Sequence, residues 1–265
     1  MPSIYLPHGG GPWPWTPAFT PALAADYALL QGYLESIPNL LPRRPAGIVI
    51  VSAHWEAPVP TIMTREDPRM LYDYSGFPED TYAISWPAPG DPALASRVET
   101  LLAASGIDTA RNSERGFDHG TFVPLKLAFP AADIPTIQLS LDAGYDAQRH
   151  IEMGRALAPL RDEGILIIGS GMSWEDFRAQ DLARRSAIFD TWFQETAGSQ
   201  PDVRDQALRE WTRAPFARAA HPHEEHLLPM MVAAGAAGSD VGHIAWSGSL
   251  FAIRLSAVHF GDVST

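Results

Sequence analysis

Three short, uncharged runs constrain the fold most: Ser3–Leu6 (SIYL), Gly47–Ser52 (GIVIVS) and Ile165–Ile168 (ILII). They are rich in β-branched residues and apolar at consecutive positions rather than alternate ones. That pattern belongs to strands covered on both faces, as in a parallel sheet flanked by helices. A fourth run, Ile134–Leu141, reads the same way. Helical patterns fall between and after them: Pro17 to Ser36, Asp91-Pro92 to about Ala104, Asp146 to Leu160, Asp176 to Trp211, and Pro222 to about Ala234. The Asp91-Pro92 pair is an N-cap followed by proline at the first helical position. His243 to Phe260 reads as two strands, a hairpin. The expectation is an α/β fold: one domain over residues 1–265, a largely parallel central sheet flanked by helices, and ligands at the carboxyl ends of the strands.

Composition narrows the chemistry. Acidic residues outnumber basic ones, 31 to 19, a net charge of −12. No basic patch is visible, so neither nucleic acid nor an anionic membrane is an expected partner. The chain has no cysteine, which removes disulfides, thiolate nucleophiles and cysteine-ligated metals. Lys126 is its single lysine, so Schiff-base chemistry is set aside. No apolar run reaches the roughly 18 residues of a membrane span. Met1 to Pro7 lacks a basic region followed by an apolar stretch, and a cytoplasmic location is expected.

The strand ends carry the reactive side chains. Pro7-His8-Gly9-Gly10-Gly11 follows the first run, Ala53-His54-Trp55-Glu56 the second, and Gly169-Ser170-Gly171-Met172-Ser173-Trp174-Glu175-Asp176 the third. Further histidines lie in Asp118-His119-Gly120 and in His221-Pro222-His223-Glu224-Glu225-His226. A histidine directly after a buried strand, in a glycine-rich turn, is placed either for metal ligation or for a structural hydrogen bond. His150, His243 and His259 lie inside helix or strand patterns and read as structural. On a helix opened by Pro222, His223 and His226 would share one face, with His226 the one turned inward. The HGGG run is not an esterase oxyanion loop, because no G-x-S-x-G elbow follows. It is not a phosphate loop either, because no G-K-[ST] follows. Aromatic residues gather near these turns, among them Trp13, Tyr74 and Trp174, as packing or as walls for a planar substrate.

Taken together, the ordered motifs carry a resemblance. PHGGGPW at Pro7, VSAHWE at Val51, YDYSGFPEDTY at Tyr72, WPAPGDP at Trp86, RGFDHGTFVPL at Arg115, ADIPTIQLSL at Ala132, GSG at Gly169 and HPHEEHLLP at His221 span nearly the whole chain. The chain resembles the class III extradiol ring-cleavage dioxygenases of the 4,5-DOPA dioxygenase type, which are LigB-like catalytic subunits. The resemblance implies a mononuclear metal site with His8, His54 and His226 as ligands. It implies Fe(II) as cofactor, with Zn(II) able to occupy the same site, and a small catechol-type substrate together with O2. It places His119 against substrate or dioxygen, and Trp13, Tyr74 and Trp174, from the aromatic residues gathered near the turns, are the further substrate contacts expected beside it. It also leaves room for a homo-oligomer.

One departure stands out. The family usually carries a histidine in a GSGxxxHN pattern, assigned as the acid/base residue. Here the stretch is GSGMSWED, with Glu175 at that position. Glu175 and His119 are therefore the expected catalytic groups, Glu175 as base or substrate contact, or alternatively as a metal ligand. The substitution also motivates two other readings on the same scaffold: a zinc hydrolase or lyase, and a non-catalytic binding protein.

Overall fold

The structure is a computed structural model that describes residues 1–16 and 24–262. The chain runs β1 (Ser3–Pro7), α1 (Ala24–Leu40), β2 (Gly47–Ala57), β3 (Thr61–Met63), α2 (Pro92–Ala104), β4 (Ala110–Asn112), α3 (His119–Ala128), β5 (Thr136–Asp142), α4 (Ala147–Leu157), α5 (Pro159–Asp162) and β6 (Ile165–Gly171). It continues with α6 (Leu182–Ala197), α7 (Pro201–Arg209), α8 (Ala217–Ala220), α9 (Leu228–Ala237), β7 (Gly242–Leu250) and β8 (Ile253–Phe260).

The strands form one sheet in the order β4-β3-β5-β2-β6-β1-β8-β7. Its centre is parallel: β5 with β2, β2 with β6, and β6 with β1. The β7–β8 hairpin closes one edge by antiparallel pairing of β8 with β1. The apolar runs read from the sequence are this centre. Ile48 through Val51, Leu166 through Ile168, and Ile4 through Leu6 are all fully buried, because helices cover both faces. Burial of such side chains stabilises by roughly 1.5–3 kcal/mol each.

The register aligns the strand ends. Pro7 pairs with Gly171, and Ser52 pairs with Ser170. His8 therefore leaves β1 at the same edge where β6 ends and where β2 carries His54. The β2–β5 ladder is regular up to Val51 and resumes only at Glu56. His54 lies inside that irregularity, and such bulges re-aim side chains.

Several helix boundaries differ from expectation. The Pro17 to Ser36 helix lies partly outside the described residues, and the described part starts at Ala24 and runs to Leu40. The region from Asp176 to Trp211 is not one helix. Residues 176–181 precede α6, and Gly198 and Pro201 separate α6 from α7. The helix expected from Pro222 starts later, at Leu228, with Pro229 in its first turn. The HPHEEH stretch is instead a series of turns, so His223 and His226 share no helix face. His223 is exposed and His226 is buried. Strands β3 and β4 and helix α3 were not legible in the sequence pattern. Two of these are three-residue strands, and α3 is buried along nearly its whole length.

Candidate active site

At the carboxyl edge of the sheet, His8, His54 and His226 converge. One ligand-type atom from each lies within 4.8 Å of the others. His8 Nε2 and His54 Nε2 are 3.1 Å apart.

The chain fixes each ring separately. For His8, the glycine after it bends the strand away. Gly9 has φ +76, and a Cβ there would strike the Trp13 indole at 2.3 Å. That indole N–H donates to the His8 carbonyl oxygen at 2.8 Å. His8 Nδ1 lies 3.0 Å from Ser170 Oγ, and the Ser170 hydroxyl donates to the Gly120 carbonyl. With its one proton committed there, Ser170 must accept from His8 Nδ1–H. Neutral His8 then presents a bare Nε2 to the cluster. Burial, reinforced by the neighbouring imidazoles, pulls His8 well below the usual histidine range, so it is neutral at pH 7.

His54 is held from beneath. Its backbone N–H donates to Ser52 Oγ at 3.2 Å, and Arg115 Nη2 donates to its carbonyl oxygen at 3.1 Å. Both partners meet the fully buried Asp118, which accepts from Ser52 Oγ at 2.7 Å, from Arg115 Nη2 at 2.8 Å and from Gln138 Nε2. Asp118 is also the N-cap of α3. One buried carboxylate thus ties the His54 backbone to the start of the helix that carries His119.

His119 faces Asp73. Its backbone N–H and its ring Nδ1 approach Asp73 Oδ1 at 2.9 and 2.8 Å. Asp73 Oδ2 is 3.6 Å from His54 Nδ1. Burial alone would raise the Asp73 carboxyl, but its bonds to His119 outweigh that and hold it below the usual range. An ionised carboxylate only accepts, so His119 Nδ1 carries a proton and donates it to Asp73. The His119 and His54 rings are 4.0 Å apart.

His226 is placed by its backbone. Its carbonyl oxygen accepts from the Tyr5 hydroxyl at 2.9 Å and from the Met172 N–H at 3.2 Å. A Cβ on Gly171 would lie 2.1 Å from that oxygen, which is the physical reason for the second glycine of GSG. His226 Nδ1 is 3.2 Å from Glu175 Oε1 and 3.5 Å from Glu225 Oε1. It forms a hydrogen bond to neither among the described residues. Burial would lower its pKa, but the two carboxylates push it up to about 9.

The site residues expected from the sequence divide cleanly. His8, His54, His119, His226 and Glu175 come together. Trp13 adjoins them through the His8 carbonyl, and Tyr74 backs His119 with ring centroids 6.0 Å apart. Trp174 does not join them. Its ring is fully buried, its N–H donates to the Asp176 carbonyl at 2.8 Å, and it packs edge-on against Phe189. A ring enclosed in the core offers no face to substrate, which corrects its expected role. Asp73, Ser170, Asp118 and Glu225 were missed as site residues. Each lies within a motif visible in the sequence; Asp73, Asp118 and Ser170 have partners distant along the chain, as with Asp73 and His119, whereas Glu225 adjoins His226 in sequence.

Residues 22–257 match the family described as the catalytic LigB subunit of aromatic ring-opening dioxygenase. The chain is 38% identical over 248 residues to a 4,5-DOPA dioxygenase extradiol of Beta vulgaris, covering 87% of this chain and 90% of that one. It is 34% identical over 242 residues to a 4,5-DOPA dioxygenase extradiol of Escherichia coli K12, covering 89% and 85%. A crystal structure of an uncharacterized protein from Escherichia coli K12 superposes with a TM-score of 0.76 at 30% identity, covering 98% of this chain and all of that one. With matching motifs along the chain and a matching fold, this protein belongs to the LigB family of aromatic ring-opening dioxygenase catalytic subunits.

Proposed function

We propose that this protein is a non-haem Fe(II)-dependent extradiol dioxygenase that opens a small catecholic or related phenolic ring with O2. The observation that carries this reading is the convergence of three histidines, one presenting a nitrogen already freed of its proton by Ser170. The residues fit a divalent cation. The 3.1 Å between His8 Nε2 and His54 Nε2 suits neighbouring ligand atoms each about 2.0–2.1 Å from one ion. A two- or three-nitrogen face with open positions suits non-haem iron. His8, His54 and His226 would hold the metal. When bound, iron would supply Lewis acidity toward the catechol oxygens and electron exchange with O2.

The chain supplies proton handling and orientation. His119, its Nδ1–H held by Asp73, exchanges a proton with the substrate hydroxyl through Nε2. Glu175 is the second group able to take a proton, and together with Glu225 it faces Nδ1 of His226. Tyr74, its hydroxyl bonded to the Thr81 carbonyl at 2.7 Å, holds the His119 ring in place and shields it from water.

The test is oxygen consumption by the anaerobically Fe(II)-reconstituted protein with a panel of catechols, followed by absorbance. Oxygen uptake matched by a yellow ring-opened semialdehyde is the expected result. Iron demonstrably bound, with no uptake on any catechol, would overturn the reading.

A further inference from the structure

An apolar cavity of about 440 Å³, walled by Gly11, Trp13, Tyr27, Phe77, Phe177 and Phe251 among others, lies one layer of side chains beyond the histidine cluster. Its size lies within the roughly 300–1,000 Å³ of small-molecule pockets. Three of its walls are one step from the site. Trp13 donates to the His8 carbonyl. Phe77 packs on Tyr74 at 5.5 Å, and Tyr74 meets His119. Phe177 follows Glu175 by two residues. The outer rim is a continuous aromatic chain: Trp13 stacks on Tyr27 at 4.6 Å, Tyr27 meets Phe251 at 6.2 Å, and Phe251 meets Phe177 at 5.4 Å.

No acidic or basic side chain lines this cavity among the described residues. The Tyr27 phenol, pushed up to about 12 by burial, is neutral. By contrast, a cavity of about 550 Å³ that reaches His54 and His226 is lined by Arg115, Glu56 and Glu225. The cluster thus has a charged side and an apolar side.

Phe251 reaches the apolar side at a conformational cost. It and Ala252 form the two-residue turn between β7 and β8, with φ of +53 and +66. Turns of this kind normally use Asn-Gly. Bulky residues persist in the left-handed region only where the surrounding structure imposes it. Here the turn delivers an aromatic ring to the cavity rim.

We infer that this cavity receives the non-reacting substituent of the ring substrate, and that the substituent is uncharged and apolar, an aryl or branched alkyl arm. The inference rests on the ring-opening reading of the same site. A zwitterionic amino-acid arm would lose its hydration there without a partner, whereas a flat apolar arm meets ring faces and edges on several sides.

The test is calorimetric binding of 4-phenylcatechol, catechol and DOPA to the protein under argon, with and without zinc. The 4-phenylcatechol ligand is expected to bind at least about ten-fold more tightly than the other two. Phe177→Asp and Phe251→Asp alter rings that are 45% and 41% exposed, positions that tolerate a polar side chain. Each is expected to abolish the preference. DOPA binding as tightly as 4-phenylcatechol would overturn the inference, as would a preference that survives both substitutions. Oxygen uptake by the iron-loaded protein is read separately. Absent uptake with the preference intact counts against ring opening alone. Uptake on catechol and DOPA without an advantage for the phenyl arm counts against the inference alone.

Discussion

The structure buries histidines in two different ways. His150, His221 and His259 are fully buried, each apart from the strand-end cluster. His150 Nδ1 bonds the Asp146 carbonyl, and its Nε2 receives the Asp142 N–H. His221 Nε2 bonds the Ser173 carbonyl, and His259 Nε2 meets the Tyr33 hydroxyl. At the strand ends, His8, His54, His119 and His226 are packed ring against ring with centroids 4.0 to 5.4 Å apart. Burial lowers the pKa of His8 and His54 in the cluster as it lowers that of His150, His221 and His259 outside it. An unbonded buried nitrogen occurs in both as well, at His221, His259 and His226 among the described residues. Neither property marks a metal site. What separates the two regions is convergence: several imidazoles aimed at one volume, with protons directed outward to Ser170 and Asp73.

That contrast predicts its own tests. The largest effect is on metal binding. His8→Ala or His54→Ala is expected to weaken Zn(II) or Fe(II) affinity by more than about 100-fold, because each removes a ligand rather than a supporting group. His150→Ala is expected to leave affinity unchanged and cost about 2–3 kcal/mol of stability, through a cavity and an orphaned Asp142 N–H. Metal titration and chemical denaturation of the same variants check both. Full metal retention by His54→Ala would overturn the ligand set.

Next comes Asp73→Asn, which keeps shape and loses charge. The amide can donate as well as accept, so His119 is no longer held in one tautomer. A drop in kcat of about 100-fold is expected, with metal affinity reduced no more than about ten-fold. A kcat within two-fold of the parent would remove Asp73 and His119 from proton handling. Glu175→Gln is smaller still. It withdraws a charge facing His226 Nδ1 and should reduce metal affinity by about ten-fold. Glu175→His should preserve or raise ring cleavage of simple catechols, and loss of metal in that variant would instead identify Glu175 as a ligand.

The isolated histidines give the contrast a pH dependence of stability. Burial lowers His221 and His259 to about 3, against about 6.5 in the unfolded chain. Between those values the unfolded state binds protons that the folded state refuses. Stability therefore falls as pH drops from about 6.5 toward 3, by up to about 1.4 kcal/mol per pH unit for each group. Urea midpoints measured from pH 7 to 4.5 should decline, and His221→Gln should flatten the slope. An unchanged slope would mean that His221 takes up a proton without unfolding.

The sequence by itself determined the sheet centre, its parallel sense and the histidines that leave it. Consecutive β-branched residues have no stable placement except between two covered faces, and a glycine-rich turn at a strand end is a local property. Motif order was enough to indicate the family. Tertiary structure decided the rest. The register of β1, β2 and β6 brought His8 and His54 to one edge. The irregular ladder at His54 and the turns before α9 broke the periodicities from which a side chain's direction is read, so His226 faces inward from a turn and not from a helix. Trp174 illustrates the limit. Its place beside Glu175 suggested a substrate wall, yet its side chain points into the core, since neighbours in sequence diverge wherever the backbone turns. Asp73 illustrates the converse, 46 residues from His119 in sequence and 2.8 Å away in space. Hydrogen bonds across such separations depend on how the layers pack, and no local pattern records that.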